Sequence, residues 1–472
     1  MSIILIKALQ LILCLSLLVI LHELGHFGFA KLFHVKVTRF YLFYNPYFHL
    51  FSTRDRWFTR LFPYFKDNET EYGIGWVPLG GYVQIAGMVD ESMDTEQLKQ
   101  PAKPWEFRSQ KAWKRFLMMA GGILMNLLAA WVIYSAVMLA WGRDYVPMQS
   151  IRQGFQFNEY AHGLGFRDGD IPVAADGKGI AEYSGAVYRT ISNAGTVTVL
   201  RGGKRVEVRM PQGGLNMVEM LRMVPAFMAP TAPAVVDSVV PGSAAQKAGI
   251  RPGARLVAVN GHAIGTWNDF DYRVTLRRQD VLAAEGCTHE DSLAQRRMQV
   301  VWTADDGVTR DTASLTLDGN YLMGVTRRLP DFDTRHQDYT LLSCIPAGLQ
   351  RGWRQLSGYV NDLKYMASAD GMKSVGSFIT IGSIFPSTWD WQQFWLTTAF
   401  ISIILAVMNL LPIPALDGGH IFFLLVEAVT GRQPSDGVMR WMEMIGLGLL
   451  AILMLVAFSN DVRNFILPLL GF

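Results

Sequence analysis

The chain has 472 residues, room for about three units of ordinary domain size, and it is 50% hydrophobic and only 18% charged. A soluble domain carries about 25% charged residues, so the composition points to a membrane protein with a sizeable water-exposed part. The net charge of +3 is too small to argue for nucleic acid as a partner, and the basic residues read better as topology signals.

The first apolar run starts near Ile3 and reaches Leu21-His22-Glu23-Leu24-Gly25-His26 without a small-residue cleavage site. It therefore reads as a spanning helix over about residues 5–29 rather than a removable signal. Further spans are expected over about residues 116–141, 394–411 and 442–458, the third announced by Trp389, Trp391 and Trp395 as an interfacial aromatic belt. Lys31, Lys36, Arg39, Arg54, Arg56 and Arg60 follow the first span, and Arg108, Lys111, Lys114 and Arg115 abut the second. Excess Lys and Arg marks cytoplasmic loops, so this loop is expected inside the cell. Both chain ends and the large middle region are then expected outside. Arg432 and Arg440, between the last two spans, agree.

The middle region contains an internal repeat. Gly165, Gly169 and Gly177 recur with the same spacing as Gly249, Gly253 and Gly261. Asp176-Gly177 and Asn260-Gly261 are turn dipeptides between β-branched runs. Strand-like stretches at 196–200 with 206–210, and at 299–303 with 313–317, complete two small β-rich domains in tandem. Beyond them, residues 341–366 place Ile345, Leu349, Trp353, Leu356, Val360 and Leu363 on one helical stripe. Two readings stay open there: a helix lying on the membrane surface, or a packed helix joining the domains. The three cysteines, Cys14, Cys287 and Cys344, form no CxxC pair and no disulfide framework. A Cys287–Cys344 bridge is possible without being argued for.

His22-Glu23-Leu24-Gly25-His26 carries the chemistry. Residues four apart on a helix are rotated by only ~40° and separated by ~6 Å, so two imidazoles can grip one ion, with Glu23 near the same face. The bare pattern also occurs in helices that bind nothing. Here the three ionisable groups end a spanning helix, where an unpartnered charge is costly. A catalytic zinc keeps three protein ligands and one open position, so a third ligand must come from elsewhere. Asp417, in Asn409-Leu-Leu-Pro412-Ile-Pro414-Ala-Leu-Asp417-Gly418-Gly419-His420, is the strongest candidate. Its proline- and glycine-broken backbone is tolerated at membrane depth only inside protein or around a wet cavity. The plain alternative is a loop with a capping aspartate; His420 is a rival ligand ranked below Asp417.

These motifs, with Gly121-Gly122 and Asn126 in the second span, resemble the site-2 protease family over essentially the whole chain. The tandem repeat resembles the paired PDZ domains of its bacterial branch, the regulator of sigma-E protease type. The resemblance implies a polytopic α-helical membrane protein of about four spans with two PDZ-like α+β domains on the periplasmic side. By domain, residues 1–144 form an N-terminal membrane domain, 145–224 and 225–330 the two PDZ-like domains, 331–385 a surface helix and linker, and 386–472 a C-terminal membrane domain. It implies Zn2+ held by His22, His26 and Asp417, with Glu23 as the catalytic acid/base and Asn409 holding the substrate backbone. Residues 73–83 match a membrane-associated β-loop, where Gly80, Gly81 and Tyr82 are candidates for substrate binding. A substrate helix must unwind to be cut, and its freed amides need partners that an edge strand can supply.

By the same resemblance the substrates are pre-trimmed single-span membrane proteins, such as anti-sigma factors or signal-peptide remnants, in the bacterial inner membrane. The zinc site would lie towards the cytoplasm, and membrane lipid would surround the spans as a further partner of the protein. Gly163-Leu-Gly-Phe166 spells a PDZ carboxylate-binding loop, but the repeat aligns it against residues 247–250, so the spelling is read as coincidence. Two other functions stay in view. A membrane-anchored PDZ scaffold with a vestigial metal site would not depend on Glu23. A metal transporter would need ionisable residues along several spans, whereas here they cluster at one site.

Overall fold

The computed structural model describes residues 3–463 apart from 67, 89–100, 275–288, 305–308, 320, 331, 367–375 and 433–434. Cys287 and the apolar tail 465–472 lie outside the described residues. The chain divides into two compact units, one of Met1–Arg143 with Gln337–Phe472 and one of Asp144–His336.

The first unit is built on helices. α1 (Ile3–Leu32), α2 (Ala112–Trp141), α5 (Trp391–Leu410) and α7 (Asp436–Asp461) are the long apolar ones. All four are long and apolar enough to cross a membrane, since 20 helical residues already span about 30 Å. They coincide with the four expected spans to within a few residues at each end, α5 stopping at Leu410, one residue short. α2 is the hub and packs against α1, α5, α3 (Leu341–Met366) and α6 (Asp417–Thr430). The buried Arg115 at the start of α2 pairs with Glu427 near the end of α6, so a shielded ion pair joins the two helices. The short α4 (Phe378–Ser383) lies against α1. There Cys14, Leu18, Phe385, Phe394 and Ile401 form one small core.

α3 packs along part of its length on α2 and α5. The Trp131 indole donates to the Ile345 carbonyl at 3.2 Å, and Leu356, Tyr359 and Leu363 pack on Ala130, Tyr134, Ala399 and Ile403. Leu356 and Leu363 of the expected stripe thus have a protein partner in α2 and α5, while Ile345, Leu349, Trp353 and Val360 stay exposed.

Between α1 and α2 a four-stranded sheet forms, in the order β2-β3-β1-β4. Its strands are β1 (Val37–Tyr44), β2 (Phe51–Ser52), β3 (Glu71–Ile74) and β4 (Val77–Ile85). β1 pairs parallel with β3 and antiparallel with β4, which leaves β4 on the sheet edge. Tyr41 and Tyr82, directly opposite in the β1–β4 register, stack with ring centres 5.4 Å apart. Glu71 accepts the Tyr41 hydroxyl at 2.6 Å and the Ser52 hydroxyl at 2.7 Å. Burial and that carboxylate push the Tyr41 hydroxyl above its usual range, so it stays a donor and pins β1 to β3.

The second unit holds the repeat. Its two four-stranded sheets share one topology: 171–175, 178–179, 196–201 and 204–209 in the first correspond to 255–259, 262–263, 297–303 and 310–316 in the second. The repeated glycines adopt matching left-handed conformations, with φ of 105°, 88° and 75° at Gly165, Gly169 and Gly177 and 86°, 89° and 79° at Gly249, Gly253 and Gly261. Asp176 and Asn260 also have positive φ, as two-residue hairpin turns of this kind require. The Asp176 carboxylate accepts the Thr196 amide at 2.8 Å, and the Asn260 side chain accepts the equivalent Gln299 amide at 2.8 Å. Each sheet covers its own core, one around Phe155, Phe166 and Val197, the other around Trp267, Val300 and Trp302. The first core reaches beyond residue 224: Met228–Pro230 pairs with Phe155–Phe157, and Phe227 and Met228 are buried in it. In the second copy, the corresponding pair is Val236–Val239 with Val325–Arg327.

Candidate metal centre

Helical spacing alone brings two imidazoles together. His22 and His26 are one turn apart on α1, edge to face, with ring centres 4.7 Å apart and Nε2 atoms 3.1 Å apart. α2 crosses directly over them because it presents glycine: a Cβ at Gly122 would stand 2.5 Å from His26 Nε2 and 2.6 Å from His22 Nδ1. The third group arrives from the other end of the chain. α5 ends at Leu410, an irregular turn follows, and α6 begins at Asp417. Ala415 in that turn has φ 74°, a left-handed conformation uncommon outside glycine. The turn brings Asp417 Oδ2 to 3.2 Å from His22 Nε2 and 3.4 Å from His26 Nε2.

These three atoms fit a zinc ion. Four-coordinate zinc with bonds of about 2.0–2.1 Å holds neighbouring ligand atoms about 3.3–3.4 Å apart, close to the observed triangle. Asp417 Oδ2 is buried and finds no hydrogen bond of acceptable geometry, although two ring nitrogens are near. A buried oxygen orphaned beside two nitrogens suits a shared cation better than a hydrogen-bond network. Among the described residues, no other group of three His, Cys, Asp or Glu side chains is close enough to hold a metal.

The surrounding groups fix the imidazoles. His26 Nδ1–H donates to the Met118 carbonyl at 2.8 Å, which leaves the Nε2 lone pair for the centre. His22 Nδ1 is 3.3 Å from the Asn126 amide nitrogen, while Asn126 Oδ1 is buried without a partner. Exchanging that amide's oxygen and nitrogen lets His22 Nδ1–H donate to Oδ1. Asn126 is itself held across the bundle, its carbonyl accepting the Ser402 hydroxyl of α5 at 2.7 Å. Asn409, near the end of α5, places its amide nitrogen 3.5 Å from His22 Nε2.

The centre opens on a cleft of about 670 Å³. Glu23 lines it beside the two histidines, with the Val83 backbone amide of β4 as a hydrogen-bond donor to its carboxylate. β4 forms one wall, from Gly80 through Ile85. Gly81 lets that strand come close to α1, since a Cβ there would sit 2.8 Å from Val19 Cγ1. All the residues singled out from sequence as ligands, acid/base or substrate contacts meet here: His22, Glu23, His26, Asn409, Asp417, Gly80, Gly81 and Tyr82. His420, the lower-ranked ligand candidate, lies in the cleft wall but outside the triangle. Sequence reasoning missed the orienting contacts of Met118 and Asn126, and it passed over Glu443. That carboxylate, inside the fourth span, is 4% exposed and lines the same cleft. A carboxylate within a spanning run is the signal that could have found it.

Curated relatives extend over nearly the full chain. A protein of Neisseria meningitidis serogroup A with "zinc metalloprotease" in its name is 28% identical over 97% of this chain and 98% of its own length. The regulator of sigma E protease of Salmonella typhi is 27% identical over 95% of this chain and 97% of its own. A Yersinia pestis protease is 26% identical over similar shares, 95% and 97%. The profile of peptidase family M50 matches residues 10–453. Because that match reaches from the helix of the two histidines past the turn of the aspartate, the chain belongs to peptidase family M50.

Proposed function

We propose that this M50 peptidase is a zinc-dependent protease that hydrolyses peptide bonds within the transmembrane segments of single-span proteins already trimmed outside the membrane. The observation that carries the reading is the triangle of His22 Nε2, His26 Nε2 and Asp417 Oδ2 beside Glu23, in a cleft among spanning helices. When bound, zinc supplies a Lewis acid that polarises a carbonyl and makes water nucleophilic near neutral pH.

The side chains supply the rest. His22, His26 and Asp417 hold the ion. The Glu23 carboxylate takes the proton from the attacking water and returns it to the departing amine nitrogen. A substrate helix that unwinds in the cleft exposes amides and carbonyls that water cannot reach. The edge strand β4 offers partners for them by strand addition, and Gly80, Gly81 and Tyr82 form that edge beside Glu23. The Asn409 amide, next to His22, holds the substrate backbone. In this reading the loop between α1 and α2 faces the cytoplasm, the multi-pass core sits in a bacterial inner membrane, and the two repeats are PDZ-like domains outside it that screen substrates by size. Relatives named as regulators of sigma-E support anti-sigma factors as substrates, and signal-peptide remnants are a second candidate class of single-span segment.

The test compares wild type with Glu23→Gln and Asp417→Ala for zinc content and for cleavage of a model single-span protein in detergent or nanodiscs. Zinc in wild type and Glu23→Gln, with cleavage only by wild type, is the expected pattern. Cleavage by Glu23→Gln, or zinc retained at full stoichiometry and affinity by Asp417→Ala, would overturn the assignment. The first result would leave a protease that does not use Glu23 as its acid/base, whereas no cleavage by the wild type would favour a membrane-anchored scaffold.

A further inference from the structure

The turn that carries Asp417 is short, irregular and held in an unusual backbone conformation at Ala415. Such a conformation persists only where the surroundings fix it. Its own hydrogen bonds are few: Ile413 N–H to the Leu411 carbonyl, Leu416 N–H to Ile413 and Gly419 N–H to Leu416. α7 reaches this turn at two points. Gly446 lies against Pro414 so closely that a Cβ on it would overlap the Pro414 carbonyl oxygen. One turn earlier on α7, Glu443 Oε2 is 3.7 Å from His420 Nε2. Positions 443 and 446 share a face of the helix, and they grip residues 414 and 420, three before and three after Asp417. Both side chains of the polar contact are shielded, His420 at 13% and Glu443 at 5% exposure. Most of the remaining surface of α7, including Trp441, Ile445, Leu449 and Leu455, is exposed. A carboxylate inside such a helix is costly unless it has a task or a partner.

We infer that Glu443 is a positioning residue: with Gly446 it braces the turn from α7 and, through His420, sets the place of Asp417 in the metal centre. The inference rests on Asp417 being a metal ligand. Residues that orient ligands without touching the ion usually change metal affinity by about 10–100-fold when removed. The brace therefore acts on affinity and coordination geometry, where a role in general stability would not.

The experiment uses the full-length purified protein. Zinc affinity is measured by chelator competition, and the visible absorption bands of the cobalt(II)-substituted protein report coordination geometry. Glu443→Ala and His420→Ala are each expected to raise the zinc dissociation constant by about 10–100-fold and to alter the cobalt bands. The double variant is expected to lose no more than either single one, because one contact is broken in all three. Glu443→Gln, which keeps an acceptor for His420, restores affinity to within about threefold, and excess zinc restores cleavage by Glu443→Ala. Wild-type affinity and bands in Glu443→Ala overturn the brace, and so do single losses that add in the double variant. If Glu443→Ala fails to fold, His420→Ala decides by the same measures. Asp417→Ala is the control: if it binds zinc like wild type, the ligand assignment itself fails. If it loses zinc while Glu443→Ala does not, only the brace fails.

Discussion

The two halves of the metal centre are built in opposite ways. On α1 the spacing of His22 and His26 is a property of any helix, and regular backbone hydrogen bonds hold it within one segment of chain. On the other side Asp417 is delivered by a broken turn with a left-handed alanine. It reaches the histidines only because α5, α6 and α7 meet around it. One half is local and robust; the other is tertiary and adjustable. The helix half should therefore be most vulnerable to what enters from outside, and the turn half to what is removed around it.

The largest expected effect on the helix half comes from Gly122. Leucine at this position would drive its Cβ and branch into both imidazoles, because even a Cβ lies 2.5 Å from His26 Nε2. Gly122→Leu is expected to abolish stoichiometric zinc binding and with it cleavage, while α2 itself gains helix propensity. Metal analysis and far-ultraviolet circular dichroism on the same sample check both parts. Zinc bound at full stoichiometry would show that α1 and α2 can separate and that the helix half is less fixed than its geometry implies.

A smaller loss is expected from Asn126→Ala, which removes the acceptor for His22 Nδ1–H but leaves the ligand spacing intact. Zinc affinity should fall by about 10–100-fold. Asn126→Asp keeps an oxygen in place and should fall less. Equal losses in the two variants would mean that Asn126 acts by packing rather than by orienting the ring.

This contrast also explains what could be read in the sequence. The four spans were legible because each is a continuous apolar run, and the two repeats because their glycines must adopt positive φ at fixed spacing. His22, Glu23 and His26 were legible because three to four residues is one helical turn. Asp417 was legible as the strongest third ligand because a carboxylate in a broken backbone at membrane depth needs a cation, although nothing in its own segment says which helix it faces. The sheet order β2-β3-β1-β4 was not legible, because its pairings join distant segments and only the hairpin-like stretch near Gly80 has a local signature. Which residues of the α3 stripe meet protein was hidden too, as lipid headgroups and the flank of α2 make the same demand on its sequence. Glu443 was lost in a run of methionine, leucine and isoleucine whose dominant message is length.

The smallest expected effect sharpens the turn half. Ala415 holds φ 74°, where an L-residue costs about 1–2 kcal/mol. Glycine removes that cost but loses about 0.5–1 kcal/mol of chain entropy on folding. Ala415→Gly should therefore leave stability nearly level or raise the thermal midpoint by about 1–2 °C. Zinc affinity separates two versions of the turn. If α7 and the Asp417 contacts fix its shape, the freed backbone has nowhere else to go and affinity stays within about threefold of wild type. If instead the alanine's stiffness holds Asp417 in place, glycine lets the turn wander and affinity falls by tenfold or more, the size of effect seen when a ligand loses its orientation. The first outcome makes the turn a passive link clamped by its neighbours, so substitutions in α7 would reach the metal more strongly than substitutions in the turn itself.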